Sequence, residues 1–429
     1  MRILRAADPD FEQQLAPLLN RTAFDPEIER AVAEILQGVR QRGDKALVEY
    51  AHTFDNATLT PGEFRVPQDV IDAAGDTLDE RTRKAIQRAC KQVKDFSAQR
   101  LPSPWSYSPR PGVVSGERFA PLDRVGCYVP GGTAPLISTV LHTAAIAAIA
   151  GVAEIAIVTP PGRDGTINPA ILYAAKVAGA TEVYRLGGVY AIAALAFGTE
   201  TVRRVEKIVG PGNAYVTAAK RQVYGYVALD LVAGPSEIMV IADDTANPRF
   251  IAADMLSQAE HGSGREQAVF VTTAPELIPA VQRELETQSA LLSRADCVRS
   301  VLDNGVFLIE ATDLEQAAEL ASAYAPEHLE IMTRQPESVA ENVTAAGAIF
   351  LGDWTPEPIG DFVAGPSHVL PTGGAGRYFS GLTVEQFFRR MSVIQYQENA
   401  LREEAEFVET FAANEGLDAH GRSCSIRTK

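Results

Sequence analysis

The chain has 429 residues and a formal net charge of −16, from 39 Lys and Arg against 55 Asp and Glu. An acidic surplus of that size excludes a role built on nucleic-acid phosphates or an anionic membrane surface, since both would be repelled. With 46% hydrophobic and 22% charged residues the composition is that of a soluble globular protein, and the length suits about two to four domains.

The N-terminus, Met-Arg-Ile-Leu-Arg-Ala-Ala-Asp-Pro-Asp, is broken by charge and proline before a signal peptide can form. A short helical arm is expected around residues 11–19. A firmer helix follows, with Asp25 as N-cap, Pro26 in the first position, one apolar face through Ile28, Val32, Ile35 and Val39, and Gly43 as its stop. Helical periodicity continues over 70–96, and the proline- and aromatic-rich stretch 101–111 reads as a connection. Residues 113–129 alternate as short strands and close on Pro130-Gly131-Gly132. The most apolar stretch, 144–158, is interrupted by Gly151 and Glu154 and falls short of the roughly 20 residues a spanning helix needs.

From there strand and helix alternate: strands at 154–159, 182–186, 205–209, 228–231 and 238–241, helices at 169–178, 191–197 and 213–223. Glycines stand at the strand ends, where ligands of open α/β sheets bind. A second set has strands near 268–272, 306–309, 329–332 and 348–351. Residues 383–391 and 400–413 read as helices, followed by Glu415, His420 and a basic tail. The expected fold is α/β, two Rossmann-like lobes with parallel sheets, plus an N-terminal helical arm and an extended C-terminal helical segment. The expected division is an arm over 1–24, the first lobe in two parts over 25–126 and 238–380, a cofactor-side second lobe over 127–237, and a C-terminal segment over 381–429.

Cys90, Cys127, Cys297 and Cys424 are far apart with no C-x-x-C pair, so neither a disulfide framework nor a cysteine zinc site is expected, and reduced thiols in a cytoplasmic setting are the default. Chemistry is instead concentrated among the six histidines. If residues 254–261 end a helix closed by Gly262, Gln258 and His261 project from one face and offer an amide oxygen and an imidazole nitrogen to a metal such as zinc. Alone, such a pair is most often solvated or satisfied within the core. His328 follows Glu327 in Ala-Pro-Glu-His-Leu at the start of a strand, which sets an acid beside a base for proton transfer, although neighbouring strand residues can also face opposite ways. Asp361 and His368 share one glycine-rich stretch and offer a hard ligand and another imidazole, or else an Asx turn and a satisfied loop histidine. His52 reads as a surface helix residue and His142 as packing.

Six runs, Gly126-Cys-Tyr-Val-Pro-Gly-Gly132, Val209-Gly-Pro-Gly-Asn213, Ala233-Gly-Pro-Ser-Glu237, Leu256-Ser-Gln-Ala-Glu-His-Gly262, Pro326-Glu-His-Leu329 and His368-Val-Leu-Pro-Thr372, occur in order along nearly all the chain and resemble those of histidinol dehydrogenases. The resemblance implies a homodimer with shared active sites, one zinc per subunit and NAD, oxidising L-histidinol through L-histidinaldehyde to L-histidine in the last steps of histidine biosynthesis. It implies Gln258, His261, Asp361 and the partner subunit's His420 as metal ligands, and Glu327 and His328 as the acid-base pair. Ser236, His368 and the partner subunit's Glu415 are implied for substrate, which also meets the metal ligands and His328, and Tyr128 and Asn213 for the cofactor. One departure stands out. After Gly187-Gly188 the chain has Val189-Tyr190, where the family typically has Ala-Gln, so Tyr190 takes the place of a cofactor contact with a phenol in place of a carboxamide. There is no G-x-G-x-x-G, so the dinucleotide site is of another kind. Rival readings are a related zinc and NAD dehydrogenase of another polar alcohol, such as a sulfonated propanediol, a metallohydrolase, and a non-catalytic zinc module.

Overall fold

The computed structural model describes residues 1–21, 25–131, 135–232, 234–261 and 264–428. Gly132, Ala233 and Gly262, three of the glycine-run positions just named, lie outside the described residues.

Two parallel sheets organise the chain. The larger has six strands in the spatial order Arg2–Arg5, Val306–Glu310, Gln267–Thr272, Glu237–Ala242, His328–Met332 and Ala348–Leu351. The smaller has five, in the order Glu182–Arg185, Glu154–Thr159, Arg124–Tyr128, Lys207–Val209 and Ala228–Leu229. Central strands are buried along their whole length, because helices cover both faces of a parallel sheet. The strand alternation shows in the packing: Ile238, Val240 and Ala242 enter one core while Met239 and Ile241 enter the other.

The expected α/β architecture with parallel sheets is therefore present, and several boundaries are corrected. Residues 2–5, expected within a helical arm, form an edge strand of the six-stranded sheet, and the helix Phe11–Leu19 then packs Leu15 and Leu18 on that sheet. The segment 25–126 was expected to belong with that first lobe. Its helices pack elsewhere: Val32, Leu36, Ala46 and Leu47 share a core with Ala156 and Val158 of the five-stranded sheet, and Ile86 and Val93 share one with Val125 and Cys127. Glu237–Ala242, which closes the first alternating series in sequence, is central in the six-stranded sheet, with the later strands of the 238–380 segment.

Residues 383–391 also differ from expectation. A 3₁₀ turn, Val384–Phe387, leads into the strand Phe388–Tyr396, which pairs antiparallel with Val113–Pro121, itself paired with Trp105–Tyr107. The helices Glu398–Glu415 and Asp418–Thr428 follow, joined at Gly416 with φ 69°. Asp25, Pro26 and Gly43 bound the helix Pro26–Arg42 as expected, with Asp25 accepting from the Glu27 amide. Among the described residues no helix is long and apolar enough to cross a membrane.

Candidate active site

The acid-base pair is set by strand register. Ala325, a non-glycine residue at φ 49°, ends the helix Leu314–Tyr324, and Pro326 turns the chain into the strand His328–Met332. His328 pairs with Ile238, which brings the backbone of Glu237 against both members of the pair. The Glu237 amide donates to Glu327 Oε2 at 3.0 Å, and its carbonyl lies 3.1 Å from His328 Nδ1. Nδ1 thus donates its proton to a carbonyl, and Nε2 is the nitrogen left to act as base. Nε2 faces Glu357 Oε1 at 3.6 Å and Asp361 Oδ1 at 3.7 Å.

The electrostatics of this buried group are unusual. Burial pushes Glu327 up to about 8, against the pull of His328 and the Glu237 amide. For His328 burial alone would lower the pKa, but Glu327, Asp361 and Glu357 outweigh it and push the imidazole up to about 10. Asp361 is half-buried, which alone would raise it, yet the His328 imidazole 3.7 Å away and the charges of His368 and His261 hold it well below the usual carboxylate range. Glu357, buried beside Asp361, rises to about 7.

Gln258 supplies the second strand of evidence. Asn247 caps and Pro248 opens the helix Pro248–Ala259, which follows the strand Glu237–Ala242 and returns its C-terminal end toward the amino edge of the sheet. Gln258 is 0% exposed, and among the described residues neither its amide oxygen nor its nitrogen has a hydrogen-bond partner. Such a group costs about 1–3 kcal/mol unless something else binds it. The helix stops at Ala259, so His261 lies in the following turn, its amide bonded to the Gln258 carbonyl at 3.3 Å, and not on the helix itself as expected. His261 is exposed at the surface, yet burial is the main cause lowering its pKa, as for a ring lining a cleft.

Glu357 was not anticipated. Its side chain accepts from Ser257 at 2.9 Å, its amide donates to Glu330 at 2.6 Å, and Glu330 and Asp254 form a further buried acid pair behind it. Among the described residues His328, Glu357 and Asp361 have ligand atoms within 4.8 Å of one another, and His261 is near enough for the Asp361 charge to act on it, so Asp361 is a candidate metal ligand. Buried acid exceeds buried base here, a setting that a divalent cation relieves. Arg21 was also missed: it pairs with buried Glu237 and lies 3.7 Å from the Tyr324 ring centroid, bracing the strand start that holds Glu327 and His328.

Asp361 falls in a short helix, Glu357–Phe362, where a loop was expected. His368 is one step on, its Nδ1 3.1 Å from the Asp361 carbonyl and its Nε2 3.2 Å from Thr139 Oγ1. Ser236, half-buried, immediately precedes Glu237. These residues meet where the amino edge of the six-stranded sheet faces the five-stranded lobe.

The expected cofactor residues lie at the carboxyl edge of the smaller sheet. Arg124–Tyr128 and Lys207–Val209 are neighbours whose chains continue to opposite sides, the switch point where such sheets bind ligands. Gly210, at φ 115°, passes so close that a Cβ would lie 2.2 Å from the Tyr128 carbonyl oxygen. Asn213 accepts from the Tyr215 and Val216 amides and so caps the next helix, while Tyr128 accepts from the Gly188 amide at 3.3 Å. Tyr190 differs from expectation: its ring is in the core and its phenol donates to Asp55, whose carboxylate is what borders the Gly187 turn. Glu415 and His420 are exposed on the C-terminal helical pair and are not brought to Asp361 within one chain.

A family model described as histidinol dehydrogenase matches residues 19–428. The chain is 44% identical over 410 residues to a histidinol dehydrogenase of Heliobacterium mobile, covering 96% of each chain. It is 45% identical over 421 residues to histidinol dehydrogenase 2 of a Nostoc species, covering 97% of each. The crystal structure of histidinol dehydrogenase from Elizabethkingia anophelis superposes with a TM-score of 0.93 at 36% identity, covering 100% of this chain and 98% of that one.

Proposed function

The chain belongs to the histidinol dehydrogenase family, and from that membership and the pocket we propose that it oxidises L-histidinol through L-histidinaldehyde to L-histidine, with zinc and NAD. The observation that carries the reading is the backbone of Glu237 holding a carboxylate and an imidazole side by side, with Nε2 turned toward Asp361.

Zinc fits the donor set, because among the described residues Gln258 is a buried amide with no partner and Asp361 a half-buried carboxylate among imidazoles; Gln258, His261, Asp361 and the partner subunit's His420 would hold it. When bound it would supply a fixed positive charge that orients the amino alcohol. NAD would supply the two-electron acceptor, seated by Tyr128 and Asn213 at the switch point. His328 Nε2, which would be unprotonated once a cation offsets the carboxylates of Asp361 and Glu357, takes the proton of the substrate hydroxyl as the alcohol is oxidised. Glu327 then takes a proton from the water that adds to the aldehyde, and the hydrated aldehyde is oxidised in its turn. His368, whose Nδ1 proton is committed to the Asp361 carbonyl, offers Nε2 as an acceptor to the substrate imidazole in place of the Thr139 hydroxyl that meets it at 3.2 Å, and Ser236 adds a hydroxyl.

A homodimer with crossed sites is supported by exposed apolar side chains on the C-terminal region: Phe411 is 70% exposed, Ile394 70% and Ile426 65%. Glu415 and His420 sit on the same element, ready to enter a neighbour's pocket. Side-by-side NAD reduction with L-histidinol and with a sulfonated propanediol tests the substrate. Rapid reduction with histidinol is expected; reduction with the sulfodiol alone would replace this reading by the rival one.

A further inference from the structure

We propose that His142, from the five-stranded lobe, is a positioning residue that fixes His368 and the stretch carrying Asp361, and so sets how tightly the ring end of the substrate is held. This rests on the reading of His368 as a substrate-binding residue.

The local fold around His142 departs from regular helix. Between the α-helical pieces Ile137–Val140 and Ile146–Ile149, residues Leu141–Ala145 form a π turn. Such turns widen the helix and are uncommon outside functional positions, where they redirect a side chain. Here the turn sets an imidazole amid the buried run Val140, Leu141, Ala144 and Ala145, and His142 is itself 0% exposed.

Outside its own helix, the polar contacts of His142 go to the stretch carrying Asp361 and His368. Its Nδ1 accepts from the His368 backbone amide at 3.2 Å, and its carbonyl oxygen accepts from Ser367 Oγ at 2.9 Å. The two imidazoles stack with centroids 4.4 Å apart and planes 18° from parallel. Thr139, three residues earlier on the same helix, meets His368 Nε2. Backbone, ring face and ring edge of His368 are all held from one helix of the opposite lobe, while Asp361 holds its remaining nitrogen. Because Nδ1 of His142 is an acceptor, its proton is on Nε2, a buried atom with no hydrogen-bond partner among the described residues. An apolar residue would fill the space without that unsatisfied donor, so the imidazole is kept at a cost and its acceptor is what the site uses.

The test uses the zinc-loaded protein. Ring ¹⁵N spectra of the six histidines should show one fixed tautomer for His368 in the unaltered chain, and an averaged signal in His142→Ala. Steady-state kinetics should show KM for histidinol raised about tenfold, the loss of one good hydrogen bond and its stack, with KM for NAD unchanged and kcat altered less. His142→Phe keeps the stack and His142→Gln keeps an acceptor, so each should fall between the two; they decide the matter if His142→Ala does not fold. Unchanged His368 signals, an equal rise in KM for NAD, or wild-type kinetics in both milder variants would overturn the proposal. A chain that does not oxidise histidinol at all would instead overturn the proposed function, while the spectra still judge the role of His142.

Discussion

Gln258→Met should change the sign of its effect with metal. The amide of Gln258 is fully buried with both polar atoms unpartnered among the described residues. Methionine of similar length removes an unsatisfied group worth about 1–3 kcal/mol, with little lost volume. In protein stripped by a chelator the variant should therefore melt higher than the unaltered chain, by about 2–4 °C per kcal/mol if a unit of 150–250 residues melts cooperatively. With zinc added the order should invert. A ligand at a thousand times its dissociation constant stabilises the native state by about 4.1 kcal/mol, more than methionine gains, and a site missing one ligand forfeits most of that. Thermal melts of both proteins, with chelator and with zinc, give the four values needed. A variant that melts lower under both conditions would mean that the amide is satisfied without metal, and the assignment of Gln258 as a ligand would fall.

Three other outcomes are expected. Inactive His420→Ala and His328→Ala chains, mixed and allowed to exchange, should regain activity, because each crossed dimer holds one pocket with all its residues intact; verified exchange without recovery would exclude a shared site. Glu327→Gln should spare alcohol oxidation more than aldehyde oxidation. Since Glu327 must be unprotonated to act as a base and burial raises it to about 8 without metal, aldehyde oxidation by the unaltered chain should rise with pH up to that value, at lower pH the more a bound cation favours the carboxylate; a flat profile, or equal loss in both steps, would remove its role. In chelated protein the His328 ring should stay protonated until about pH 10 and lose its proton at lower pH once zinc is added, because a cation beside Asp361 opposes the carboxylates that raise it. An unmoved His328 titration in ring ¹⁵N spectra would place the metal elsewhere.

The sequence made some of this legible and concealed the rest for physical reasons. Pro326 forces the chain out of helix, so a strand beginning at His328 could be read directly. Asp25, Pro26 and Gly43 mark a helix by local chemistry that needs no partner. Glu357 looked like any acid in a helix's first turn, after Pro356; only the pairing of Ala348–Leu351 with His328–Met332 carries it opposite His328 Nε2. Glu237 acts through its backbone, which no side-chain pattern reveals, and Arg21 reaches it from the far end of the chain. His142 reads as packing because its neighbours are apolar, and the π turn that aims it has no sequence period of its own. The edge strand Arg2–Arg5 is too short to show alternation, and Phe388–Tyr396 is a strand only because Val113–Pro121 waits to pair with it.

The reaction's stoichiometry tests the assembled site most directly. Purified chain loaded with zinc, given limiting L-histidinol and excess NAD, should form two NADH per histidinol consumed and leave histidine, and a chelator should abolish the reaction until zinc is returned. One NADH per histidinol with aldehyde accumulating, or full turnover in protein shown to hold no metal, would contradict it.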